Sequence, residues 1–179
     1  RLRGPLSGVM HSFTGTTDGG FPVAGVIQAN DGNFYGTTYQ GGNSGAGVVY
    51  QLSPAGSINI LHTFTGGTDG AYPYAGLVQA ADGSFYGTAL VAGDVSAGTV
   101  FRADSGGSFT VVHTFTGATD GGEPAAALAL GSDGNFYGTT YAGGDVGGGT
   151  AFRILNAPAP RIAWNTPARN GFHSSFRRA

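Results

Sequence analysis

The chain has 179 residues, a net charge of −2, eight Arg, and no Lys or Cys. That balance gives no reason to expect nucleic acid or an anionic membrane surface as partner, and it excludes disulfide and thiol chemistry. Thirty-five Gly among twenty Phe and Tyr describe a folded chain of short strands and tight turns rather than a Gly-rich linker.

In chain order, the first expected element is an outer strand, D, around Gly8–Phe13, ending in His11-Ser-Phe-Thr-Gly15. The loop Thr17-Asp-Gly-Gly-Phe-Pro22 leads to strand A, Val23–Ala29, built of small and aliphatic residues. An Asp31-Gly32 turn reverses the chain into strand B, Phe34-Tyr-Gly-Thr37. The Gly-rich loop Tyr39–Gly47 then delivers strand C, Gly47-Val-Val-Tyr50, and the Ala55-Gly56 turn leads to strand D, Ile58–Phe64. The whole set returns 51 residues on, and again 51 further, without insertion. His62-Thr-Phe-Thr-Gly66 and His113-Thr-Phe-Thr-Gly117 mark the outer strands, and Asp82–Thr88 and Asp133–Thr139 mark the turn and strand B. Strand A recurs at Tyr74–Ala80 and Ala125–Leu130, and the last strand C is Thr150–Ile154, after which no good strand D is legible. No segment carries a 3.6-residue apolar period, and no apolar run approaches the roughly 20 residues of a membrane helix.

Four antiparallel strands in about 50 residues is the blade of a β-propeller. A β-helix is the alternative, although its rungs are shorter and lack these reversing turns. The repeats occupy residues 1–155, as about 8–58, 59–109 and 110–155, and residues 156–179 form a divergent Arg-containing tail. The motifs Leu61-His-Thr-Phe-Thr-Gly66, Asp82-Gly-Ser-Phe-Tyr-Gly-Thr88 and Gly98-Thr-Val-Phe-Arg102 together resemble the GloVer tandem repeat of bacterial surface and secreted proteins. The match runs over about residues 8–155. The resemblance implies an extracellular or cell-surface, propeller-like protein, and it transfers no catalytic residue.

Three blades should not close a ring alone, since propellers have typically 4–8. The strand count therefore predicts a homodimer of six blades, each copy donating its N-terminal strand to the other's last blade. The D-to-A and B-to-C loops should emerge on one face and form a mouth. There Glu123 stands where the other repeats have Phe21 and Tyr72, and Tyr39 and Tyr141 open the B-to-C loops. These five are the candidate binding residues. Asp18, Asp69 and Asp120 could give carboxylates to Ca²⁺, or cap their own Asp-Gly turns. The Asp31, Asp82 and Asp133 set reads as structural. Arg102 and Arg153, with Gln51 at the equivalent place, are expected to bridge blades. Catalytic residues are not legible: there is no nucleophile elbow, phosphate loop or zinc spacing. Two functions fit. One is an extracellular module binding a small-molecule or carbohydrate ligand at the mouth, and the other a Ca²⁺-dependent hydrolase of lactonase or esterase type working in the central channel.

Overall fold

A computed structural model describes residues 8–92 and 97–156 and the backbone of Arg161–Ile162. Among these residues the structure is all β, with no helix. Three four-stranded antiparallel sheets follow one another along the chain. The first holds β1 (Ile27–Gln28), β2 (Phe34–Thr38), β3 (Val48–Leu52) and β4 (Ile58–Thr63). The second holds β5 (Val78–Gln79), β6 (Phe85–Ala89), β7 (Thr99–Ala103) and β8 (Phe109–Thr114). The third holds β9 (Ala129–Leu130), β10 (Phe136–Thr140), β11 (Thr150–Leu155) and β12 (Arg161–Ile162). Each sheet is a simple meander, so every connection is a reversing turn or loop. Each sheet is one propeller-type blade.

The Phe-Tyr-Gly-Thr strand shows why the blades stack. Side chains alternate along a strand, so Phe and Gly face one way while Tyr and Thr face the other. Tyr35 of the first blade lies on Phe85 of the second, ring centroids 4.0 Å apart at 25°. Tyr86 lies on Phe136 of the third in the same way, at 4.2 Å and 30°. All four rings are buried. Beside the first pair, the Thr37 hydroxyl donates to the Ala75 carbonyl across the blade boundary at 3.1 Å. The Tyr35 hydroxyl donates to Asp31 at 2.6 Å, and burial with that carboxylate pushes its pKa up to about 12, so it remains a neutral donor.

The glycine of the motif is required by packing. A cross-strand ring from strand C covers it: a Cβ on Gly36, Gly87 or Gly138 would meet Tyr50, Phe101 or Phe152 at 2.6, 2.5 and 2.4 Å. On Gly87 it would also press on Leu77 at 2.9 Å. The segment that enters each blade adds a second tie, because its Phe reaches into that blade. Phe13 meets Tyr50 at 5.0 Å, Phe64 meets Phe101 at 5.3 Å, and Phe115 meets Phe152 at 5.1 Å, all edge-on.

Four expectations are corrected. Strand A shrinks to two residues in each blade. Pro22, Pro73 and Pro124 have no N–H to give a ladder, and pairing resumes only beyond them, at the Gly20–Gln40, Ala71–Val91 and Gly122–Ala142 bridges. Residues 8–13 are not a strand. They lie on the first blade with Phe13 inserted, as β4 lies on the second. The third blade does have a fourth strand: Arg161–Ile162 pairs with Leu155 and Ile154, so the edge to which a partner's N-terminal strand was assigned is held by the chain itself. Finally, Arg102 bonds Ser84 at 2.5 Å and Asp82 at 3.3 Å within its own blade, and Gln51 bonds Tyr35 within its own. These side chains brace strands B and C rather than bridge blades.

The glycine under the ring is testable. Gly87→Ala should cost about 1–3 kcal/mol through overpacking, read as a lower melting temperature. Gly25→Ala, which meets nothing within 4 Å, should leave it unchanged.

Candidate functional site

The two loop sets meet on one face, as the backbone pairing requires. Gly42 N–H donates to Thr16 C=O at 2.6 Å, and Gly144 N–H to Ala118 C=O at 2.8 Å, joining B-to-C and D-to-A loops. At the centre of each D-to-A loop one residue holds a left-handed backbone: Phe21 at φ 55°, Tyr72 at 57° and Glu123 at 56°. That region disfavours any side chain with a Cβ, most of all a bulky one. The fold holds Tyr72 and Glu123 there through both backbone groups, and Phe21 through its carbonyl. Tyr72 N–H donates to Ala46 C=O of the preceding blade at 2.8 Å, and Glu123 N–H to Ala97 C=O at 2.8 Å. Their carbonyls, with that of Phe21, accept the N–H of Leu90, Tyr141 and Tyr39 from their own blades, at 3.2, 3.1 and 2.9 Å. The three residues singled out for breaking the repeat therefore occupy one strained, clamped position.

Of the five candidate binding residues, the structure brings two together. Tyr39 and Tyr72 face each other across the boundary of the first and second blades, centroids 5.2 Å apart. Tyr74 stands perpendicular to Tyr39 at 5.9 Å and is exposed. Sequence reasoning missed Tyr74, although Val23 and Ala125 at the equivalent positions mark it as a symmetry-breaker by the same test that selected Glu123. Glu123 lies beside the second and third blades, where Leu90 and Ala125 replace the aromatic partners. Phe21 and Tyr141 are both exposed, on the first and the last blade.

The Asp18, Asp69 and Asp120 carboxylates are already engaged. Asp18 accepts the Thr14 N–H at 3.1 Å, the Thr14 hydroxyl, and His11 Nε2 at 3.1 Å. Asp69 does the same with Thr65 and with His62 at 3.1 Å, and Asp120 with Thr116 and with His113 at 3.3 Å. Each carboxylate ties the end of strand D to the loop that follows it. Calcium needs six to eight oxygens converging on one point. Among the described residues no three His, Asp or Glu stand close enough to hold an ion. This donor set does not suit Ca²⁺. The Asp31, Asp82 and Asp133 set closes its hairpin turns, accepting the N–H of Asn33, Ser84 and Asn135 at 3.0, 2.9 and 3.1 Å.

Two predictions follow from this geometry. Burial lowers the pKa of His62 and His113 from 6.5, and outweighs the opposing pull of Asp69 and Asp120. Below 6.5 the unfolded chain then binds protons more readily, so this contribution is full above that value and lost as pH falls through it. The Thr14 hydroxyl bond lowers Asp18 from 3.8, so its contribution is full above 3.8 and lost below. The melting temperature should decline as pH drops below 6.5, and His62→Gln with His113→Gln should flatten that decline. Glycine in a strand interior costs roughly 0.5–1 kcal/mol, but at a left-handed position it relieves strain. Glu123→Gly should thus leave the melting temperature unchanged or raise it, and a drop of several degrees would remove the backbone reading.

Comparison with known proteins agrees with the fold. No curated protein sequence matches the chain significantly. A crystal structure of a candidate gluconolactonase superimposes with TM-score 0.52 at 16% identity, covering 78% of this chain and 47% of that one. A candidate 6-phosphogluconolactonase from Bacteroides fragilis gives TM-score 0.44 at 18% identity, covering 77% of this chain and 33% of that one. The chain thus spans about half or less of the structures it resembles, and at these identities the likeness is one of fold. A family model matches residues 3–163, reaching past the third strand C into β12. With three blades in register and the match running through nearly all of them, the chain belongs to the Gloeobacter/Verrucomicrobia repeat family.

Proposed function

We propose that the chain is an extracellular or cell-surface binding module that takes a carbohydrate at its loop face. The Tyr39, Tyr72 and Tyr74 cluster carries this reading. Tyrosines offer flat apolar faces with a polar rim, which suits a sugar's C–H face and the hydroxyls around it. Tyr72 is held at φ 57° by a carbonyl of one blade and an N–H of the other, and its ring packs against Tyr39, so the direction in which it leaves the backbone is set before any ligand arrives. A fixed aromatic loses little entropy on binding. The only Glu of the chain, one blade further on, supplies a hydrogen-bond acceptor for a longer ligand.

The calcium-dependent hydrolase reading requires Asp18, Asp69 and Asp120 to abandon bonds that hold their own loops, and no observation favours it over binding. A glycan array followed by calorimetry tests the module. Tyr72→Ala and Tyr74→Ala should each weaken the selected glycan about ten-fold or more, a loss of about 1–3 kcal/mol of the kind that central aromatics cause. Melting curves in Ca²⁺ and in EDTA should superimpose. Lactone or ester turnover abolished by EDTA would replace the binding reading with the hydrolase.

A further inference from the structure

Among the described residues the two ends of the stack of blades are uncovered, and each carries what the internal boundaries bury. On the first blade, Val26 is 47% exposed, whereas its counterparts Leu77 and Leu128 are 5% and 6% exposed. Pro22 is exposed, whereas Pro73 and Pro124 are buried. On the third blade, Tyr137 is 39% exposed, whereas Tyr35 and Tyr86 are at 0% and 1%. Thr139 and Ala151 are exposed too, where Thr37, Thr88, Val49 and Val100 are buried. Repetition makes these ends complementary, because the internal boundaries already show how a leading face packs on a trailing one.

The polar groups match in the same way. At the internal boundaries the N–H of Tyr72 and of Glu123 finds the carbonyl of Ala46 or Ala97. Among the described residues Phe21 N–H has no such acceptor, and the Gly148 carbonyl at the position of Ala46 and Ala97 has no such donor. Pro73 and Pro124 sit over Gly47 and Gly98, so close that a Cβ there would lie 2.8 and 2.5 Å from the proline Cδ. Gly149 keeps that left-handed glycine, at φ 88°, and among the described residues no proline lies as close to it as Pro73 and Pro124 lie to Gly47 and Gly98.

We propose that the trailing face of the third blade docks the leading face of the first blade in a second copy of this chain, without exchange of strands. Two copies then close a ring. The contact is heterologous: Tyr137 meets Phe34 of the partner subunit, and Gly149 receives the partner subunit's Pro22. A heterologous contact closes or propagates according to its rotation. Closure at two brings three blades and three together as six, within the range of typically 4–8 that propellers use. Docking also completes the mouth. Tyr141 and Phe21, 79% and 65% exposed, occupy the positions of Tyr39 and Tyr72, so each junction between copies builds an aromatic pair like theirs. The proposal is independent of what the mouth binds.

Light scattering on the 179-residue chain reads the outcome directly. The expected mass is twice 17.9 kDa. Val26→Asp and Tyr137→Arg, both at exposed positions and each checked for an unchanged circular dichroism spectrum, should each reduce it to one chain. Mixing the two variants should restore a dimer, because one undamaged junction forms between the good end of each. A wild-type chain that stays at one mass unit across concentration overturns the proposal. So does a dimer indifferent to both variants, or one lost on Tyr137→Arg and not restored by mixing. In the monomeric case, a melting temperature lowered by Tyr137→Arg would identify the chain's own tail as the cover of that face.

Discussion

The stacking of Tyr35 on Phe85, and of Tyr86 on Phe136, is the contact on which the rest of this structure depends. A single four-stranded meander has two faces and too little sequence to bury either alone. Alternation along strand B solves this by pointing one aromatic ring backwards and the next forwards, so each blade is half of two interfaces. The intervening glycine lets strand C lay its own ring flat across the sheet, which keeps the blade thin enough for its neighbour to approach. Phe85, Tyr86, Gly87 and Thr88 are thus four parts of one device, and none of them is free to vary for the sake of a ligand.

The loops depend on that device but are fixed by polar groups. His62, Asp69 and Thr65 close the passage from strand D to strand A, and the half-buried ring of His62 also stacks on Phe109 of the next blade at 3.5 Å. The loop that leaves this staple passes through a left-handed residue whose N–H belongs to one boundary and whose carbonyl belongs to another hydrogen bond. Glycine would be the easier choice there. Phe, Tyr and Glu stand instead, so the side chain at that point earns its place by something other than local comfort. Backbone strain kept where the scaffold can hold it is a common property of sites.

Much of the fold was legible in the sequence, for physical reasons. A spacing of 51 without insertion, Asp-Gly turns and alternating aromatics leave little freedom for strands B and C, and their positions were read correctly. Strand A was overextended because small aliphatic residues after a proline look like a strand, although pairing needs N–H groups aimed at a neighbour and only two residues supply it. The fourth strand of the last blade was missed because 156–179 shares no motif with the repeats, while a two-residue strand needs only backbone groups. The N-terminal stretch carries the outer-strand motif but makes its contacts through Phe13 rather than through a ladder. Of the site, positions were readable and partners were not. Phe21, Tyr72 and Glu123 stood out by breaking symmetry, whereas the meeting of Tyr39 with Tyr72 and Tyr74 depends on how one blade faces the next.

That dependence explains where specificity can reside in a chain this repetitive. Every residue that stacks blades or closes a turn is held to its type by the same contact in each repeat, so Tyr35, Gly36 and Asp18 recur at each 51-residue step. Variation is tolerated only where a side chain leaves the scaffold through a backbone already fixed by neighbours. The left-handed residue before each D-to-A proline is such a place, and so is the position beyond that proline, where Val23, Tyr74 and Ala125 differ most in size. Both lie at blade boundaries, so the side chains there face two blades at a time. Tyr39 and Tyr72 meet at one boundary, and Leu90 and Glu123 hold the equivalent sequence positions at the next, with different polarity. Chemistry is set boundary by boundary, while the blades themselves remain the same.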